Sequence, residues 1–228
     1  MKSNKVARME KAFAVMLGLL PFLFSCKAAK VSTLQMDKVP IESFAIKCQK
    51  VDPETEAGLT YKTLLEITSA KDCQDAEIKL QGMTFLVMNE KNIQDLAPLA
   101  DLQQLQWLHL YGNRIEDLSP LRGLLKLKGL VLDKNQVEDI SALNGLSSLQ
   151  ELYLSHNKVI KIDAIASLKK LYILNLANNQ ISDLRSLSGL SGLMVLDLKN
   201  NAIAERKSSG NCPTTDDVSQ ALRDFCNQ

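Results

Sequence analysis

Asn113, Asn135, Asn157, Asn179 and Asn201 stand 22 residues apart, and the residues around them keep step. "LQWLHLYGNRIEDLSPLRGLLK" is followed by "LKGLVLDKNQVEDISALNGLSS", "LQELYLSHNKVIKIDAIASLKK" and "LYILNLANNQISDLRSLSGLSG". A later copy begins "LMVLDLKNNAI" and then loses the pattern. An earlier one, "MTFLVMNEKNIQDLAPLADLQQ", has Met83 for the first Leu and Lys91 for the Asn. The six units, the last truncated, occupy residues 83–204. One unit cannot bury its own Leu side chains, so the units must stack and share a continuous core.

Within a unit the alternation of "LHL" puts Leu108 and Leu110 on one face of a short strand, with Trp107, His109 and Tyr111 on the other. The second half of each unit, with Asp95, Asp117, Asp139 and Asp183 and the prolines Pro98 and Pro120, is too short for a long helix. Turns or single 3-10 stretches are expected there.

The pattern LxxLxLxxN resembles the leucine-rich repeat family, and the 22-residue length with "IxDLxPL" is most similar to the internalin type of bacterial surface proteins. The resemblance covers residues 83–203. It implies an α/β repeat fold, a leucine-rich repeat solenoid with a parallel β-sheet on the concave face, turns or 3-10 segments on the convex face and helical caps at both ends. It also implies that the recurring Asn residues form a ladder satisfying backbone groups of the neighbouring coil, a structural task. Lys91 marks the first unit as an atypical terminal repeat.

A solenoid exposes its core at each end unless something covers it. Residues 44–82 are expected to be the N-terminal cap: "LTYKTLLEITSA" reads as a helix capped by Thr60 with Leu64, Leu65 and Ile67 apolar, and "DCQDAEIKL" as a second helix capped by Asp72. Residues 205–228 are expected to be the C-terminal cap, a helix with Thr214 or Thr215 as N-cap, Asp216 and Asp217 in its first turn, and Val218, Leu222 and Phe225 on one face. Each cap holds two cysteines. Six coils at strand spacing separate the ends by roughly 24 Å, and a disulfide needs Cα atoms within about 7 Å. Of the three pairings, only Cys48–Cys73 with Cys212–Cys226 avoids spanning the array.

The first residues are a separate object. Lys2, Lys5, Arg8 and Lys11 precede "AFAVMLGLLPFLF", an uncharged apolar run of 13 residues. That is the arrangement of a secretory signal, expected over residues 1–25, and the run is too short to span a bilayer. "LFSCK" resembles a bacterial lipoprotein signal through Leu23, Ser25 and Cys26, although Phe24 is bulkier than the residue usual at its place. The resemblance implies lipidation at Cys26, with residues 26–43 as a tether and the protein held in the bacterial cell envelope, at the outer membrane or cell surface. The alternative is cleavage after Ala28 or Ala29, which gives a soluble secreted protein. Four cysteines besides Cys26 suit an oxidising compartment.

Without residues 1–25 the chain keeps 23 basic and 25 acidic residues, and no basic run remains in the repeats. Nucleic acid is therefore not an expected partner. Ser155, His156 and Asp133 invite comparison with a catalytic triad, but Ser155 and His156 are adjacent and should point apart, and no Gly-rich elbow accompanies them. His109 and His156 lie two coils apart, roughly 10 Å, with no third ligand at zinc spacing. The chain is expected to be no enzyme and to use no cofactor or metal.

After the signal there are eight aromatic residues. Phe44, Tyr61 and Phe225 fall in the caps, and Phe85, Trp107, Tyr111, Tyr153 and Tyr172 are read as strand residues pointing away from the Leu core. His109, Val87, Val131, Ile173, Met194 and Val195 share their register, with Asp133, Glu151, Asp197 and Lys199 adding polar groups. Aromatic side chains dominate interface hot spots. A monomeric protein that binds another protein through Phe85, Trp107, His109, Tyr111, Val131, Tyr153, Tyr172 and Ile173 is the expected function. It would act as an adhesin, receptor or scaffold. The alternatives are a structural envelope lipoprotein with no partner site, and aromatics recruited by β-propensity alone or covered at Phe85 by a cap. Truncating Trp107, His109 or Tyr111 is expected to cost only about 0.5–1 kcal/mol of stability.

Overall fold

The computed structural model describes residues 42–203 and 219–227. Six three-residue strands, β1 (Phe85–Val87), β2 (Trp107–His109), β3 (Gly129–Val131), β4 (Glu151–Tyr153), β5 (Ile173–Asn175) and β6 (Val195–Asp197), form one parallel sheet in sequence order. Their register is unbroken: Leu86, Leu108, Leu130, Leu152, Leu174 and Leu196 pair in succession across the sheet. These residues and the second stack of Met88, Leu110, Leu132, Leu154, Leu176 and Leu198 line the core, which buries all of them but the half-buried Leu196 of the last strand. Each fully buried Leu contributes about 1.5–3 kcal/mol of hydrophobic stabilisation. The opposite sheet face is the concave face of the fold.

Short 3-10 turns close each of the first five coils, over Ala97–Leu99, Ser119–Gly123, Ser141–Leu143, Asp163–Ser167 and Arg185–Leu187. A local reason is visible at four of them. Asp95, Asp117, Asp139 and Asp183 each accept the backbone N–H two residues on, which tightens the chain into the turn.

The strand is followed in every coil by a residue at left-handed φ: Glu90, Gly112, Lys134, His156, Asn178 and Asn200, between 53° and 68°. Only Gly112 adopts this freely. The twist turns the next side chain inward, and in five coils that side chain is the recurring Asn. Asn135 shows the pattern: its amide donates to Leu110 O and Leu132 O, both at 2.9 Å, and its Oδ1 accepts from Ile115 N at 3.0 Å. Asn113, Asn157, Asn179 and Asn201 repeat it. Lys91, exposed in the first unit, makes no such rung, and its N–H instead donates to Asn113 Oδ1 of the next coil at 3.0 Å.

Three helices cover the first coil: α1 (Phe44–Lys50), α2 (Glu56–Thr68) and α3 (Cys73–Gln81). The N-cap of α2 is Thr55, whose side chain accepts from Gly58 N, and not Thr60. Thr60 lies within the helix, where its hydroxyl donates to Asp95 O at 2.7 Å and ties the cap to the first coil. Leu64 is buried, whereas Ile67 is exposed. Asp72 caps α3 by accepting from Asp75 N. The Cys48–Cys73 disulfide joins α1 to the start of α3 with Cα atoms 5.9 Å apart.

At the other end α4 (Gln220–Asn227) packs against β6 and buries Leu222. Ser219 Oγ accepts from Leu222 N at 3.2 Å. Cys226 is disulfide-bonded. The expected partner Cys212, the expected caps Thr214 and Thr215, the acids Asp216 and Asp217, Val218, Cys26 and the whole signal segment lie outside the described residues. Among the described residues no helix is long and apolar enough to cross a membrane.

Candidate functional site

In-register stacking makes rows across the concave face. One row runs Phe85, Trp107, Gly129, Glu151, Ile173, Val195, and the next runs Val87, His109, Val131, Tyr153, Asn175, Asp197. Gly129 is the gap in the first row. The indole of Trp107 lies over it, so close that a Cβ built on Gly129 would sit 2.1 Å from Trp107 Cε3. Trp107 is therefore half-buried against β3 instead of standing free, and it shields the glycine backbone from water. His109 meets Phe85 edge-on, with ring centroids 5.1 Å apart and planes at 66°.

Phe85, Trp107, His109, Gly129, Val131, Glu151 and Tyr153 together surround an open hollow of about 450 Å³. Its walls are mainly apolar. Phe85, even with His109 against it, is 52% exposed, which is costly surface for an aromatic side chain. The carboxylate of Glu151 stands at one side. Its Oε2 accepts from the Tyr153 hydroxyl at 3.1 Å, and its Oε1 accepts from the Tyr172 hydroxyl. Burial, then the bond to Glu151, holds the Tyr153 phenol above the ordinary tyrosine range. For Tyr172 the bond to Glu151 is the larger cause of a shift in the same direction. Both phenols thus remain donors to the carboxylate at any physiological pH.

The structure brings Phe85, Trp107, His109, Val131 and Tyr153 together and separates the other three candidates from them. Tyr172 is not a strand residue; it lies one position before β5, and adjacent Tyr172 and Ile173 cannot both face outward from one strand. Tyr172 is joined to the hollow through its hydrogen bond to Glu151. Ile173 is half-buried beyond Glu151 in the same row. Tyr111 lies past the end of β2, its ring beneath Lys134 Nζ at 5.2 Å from the centroid. Hydrogen bonding with Tyr111, more than any other cause, raises the Lys134 ammonium above its ordinary value. The strand pattern does not single out Gly129 and offers Glu151 only as an added polar group. An isolated Gly at a strand position signals close approach of another group, which is the role Gly129 has.

Ser155 and Asp133 do meet, the serine hydroxyl donating to Asp133 Oδ1 at 2.5 Å and its N–H to the same atom at 2.8 Å. His156 turns away on its left-handed backbone and its Nε2 meets Asn178 Nδ2 at 3.2 Å. The three groups form no proton relay. Among the described residues no three His, Cys, Asp or Glu side chains group as metal ligands.

Family models for leucine-rich repeats match residues 103–159 and, as two copies, residues 147–192. No curated protein sequence gives a significant match. Among solved structures the chain is similar to internalin C2 of Listeria monocytogenes, at 41% identity and a TM-score of 0.53 over 54% of each chain. A second internalin of Listeria monocytogenes matches at 36% identity and a TM-score of 0.54, over 58% of this chain and 38% of that one. A leucine-rich repeat protein of Leptospira interrogans matches at 28% identity and a TM-score of 0.54, over 58% of this chain and 35% of that one. The match thus spans about half or less of the length of these proteins. The periodic Leu core, the Asn ladder and the in-register parallel sheet agree with these matches: the repeats form a leucine-rich repeat solenoid similar to those of the internalins.

Proposed function

We propose that this is an exported, lipid-anchored protein that binds another protein through the concave hollow between β1 and β4. The leucine-rich repeat architecture is one suited to protein–protein contact, since it offers an extended, rigid sheet face. The observation that carries the reading is the aromatic and apolar lining around Gly129: exposed Phe85 and half-buried Trp107, Val131 and Tyr153 border one open depression. Fully desolvated aromatic contacts of this kind supply most of the energy in protein interfaces. The anchor rests on Cys26 at the end of the apolar run of the signal.

Crosslinking from intact cells tests the face. Trp107→Ala with Tyr153→Ala should abolish partner capture while the melting transition survives. Lys161→Ala, an exposed change on the convex side, should leave capture intact. Capture that persists in the double variant removes the concave face from the function. Wall or membrane defects that follow deletion but not the double variant would mark a structural envelope component instead. For the anchor, Cys26→Ser should move the protein from the membrane fraction to the soluble one, because stable attachment takes more than one acyl chain.

A further inference from the structure

We propose that the hollow is a subsite for a basic side chain, a Lys or Arg that the partner presents between apolar residues. The inference deepens the concave-face reading and rests on it. The six strands carry two acidic residues, Glu151 and Asp197, and no Lys or Arg. Glu151 makes no ion pair among the described residues.

The carboxylate is also prepared for a cation. Tyr153 and Tyr172 each donate one hydrogen bond to it, one per oxygen, which orients the group and restricts its rotation. A carboxylate offers about four lone-pair positions, so about half remain for an incoming donor. Beside it, the aromatic residues Trp107 and Tyr153 and the aliphatic Val131 line the hollow. An alkyl stem packs on such walls while its charged head reaches the carboxylate, and aromatic faces attract that head further. A neutral apolar side chain would fill the walls and leave the carboxylate partly desolvated and unpaired; an acidic one would be repelled.

Trp107 is the only tryptophan in the chain, so its emission reports directly on the hollow. The purified protein is titrated with acetyl-Gly-Leu-Arg-Leu-Gly-amide and with the same peptide carrying citrulline, the uncharged isostere, in place of arginine. The arginine peptide should change Trp107 emission saturably and bind about tenfold or more tighter than the citrulline peptide. Glu151→Gln should bring the two affinities together. Equal affinities in the unaltered protein overturn the basic subsite and leave the concave face standing as a peptide-binding surface. No response to either peptide overturns the subsite as well, and the capture experiment then decides the broader reading on its own.

Discussion

The six-membered ring of Trp107 rests on Gly129, its partner residue on the neighbouring strand, leaving less room than a methyl group between them. Gly129→Ala must therefore push the indole off β3. The expected result is a folded protein with red-shifted Trp107 emission and about 1 kcal/mol less stability, read from fluorescence and chemical denaturation. Trp107→Ala should cost on the order of 1–2 kcal/mol, since it uncovers the glycine backbone. That is more than a free surface side chain would cost, and it revises the small penalty expected from the strand pattern alone. Unchanged emission in Gly129→Ala would mean that the ring does not sit there.

Asn135→Ala removes a side chain that serves three carbonyls, two of them at 2.9 Å, and one N–H in adjacent coils. Leaving those buried groups unpaired should lower unfolding free energy by about 3 kcal/mol or more. Asn144→Ala, at an exposed position outside the ladder, should change it by no more than about 0.5 kcal/mol. Equal denaturation midpoints for the two variants would contradict the ladder.

The Cys48–Cys73 disulfide closes a loop across a sequence separation of 25 residues. Chain-entropy arguments put its stabilisation at about 3 kcal/mol. A reducing agent should lower the melting temperature of the unaltered protein, and replacing both cysteines by Ser should reproduce most of that loss by fraying the N-terminal cap from the first coil. Free thiol at Cys48 in non-reduced protein would exclude the bond.

Burial pushes the Tyr61 phenol up to about 12 from its ordinary 10.0, with Asp101 and Asp95 adding to the shift. Below pH 10 the phenol is protonated in both folded and unfolded chains, and the stability is fully present. As pH rises from 10 toward 12, the unfolded chain releases the proton first and stability is lost. Tyr61→Phe should shrink the drop in urea midpoint between about pH 9 and about pH 11. A drop of the same size in that variant would assign the alkaline sensitivity to other groups.

The period of two at Leu108 and Leu110 and the spacing of the Asn residues are written along the chain, and they decide the core face and the coil. Each of these is a local rule repeated, so it can be read without knowing what lies next to what. The helix caps are legible only where the local chemistry is unambiguous. Asp72 before α3 is such a case, whereas Thr55 and Thr60 both precede apolar residues and the chain folds on the first. Helix α1 has no side-chain cap at Ser43 and only seven residues, so nothing in its sequence announces it.

The candidate site is different in kind. Leu alternation alone separates Trp107 and Tyr153 from the core, because their faces follow from strand geometry. Sequence alone does not say that β5 begins at Ile173, which moves Tyr172 off the strand, or that the residue after each strand turns left-handed and carries His156 away from Ser155. Nor does it say that Trp107 and Gly129, 22 residues apart, become neighbours, or that Tyr153 and Tyr172 converge on Glu151. Those relationships depend on the registration of one coil upon the next. The shared core and the Asn ladder set that registration, and it exists only once the coils have stacked.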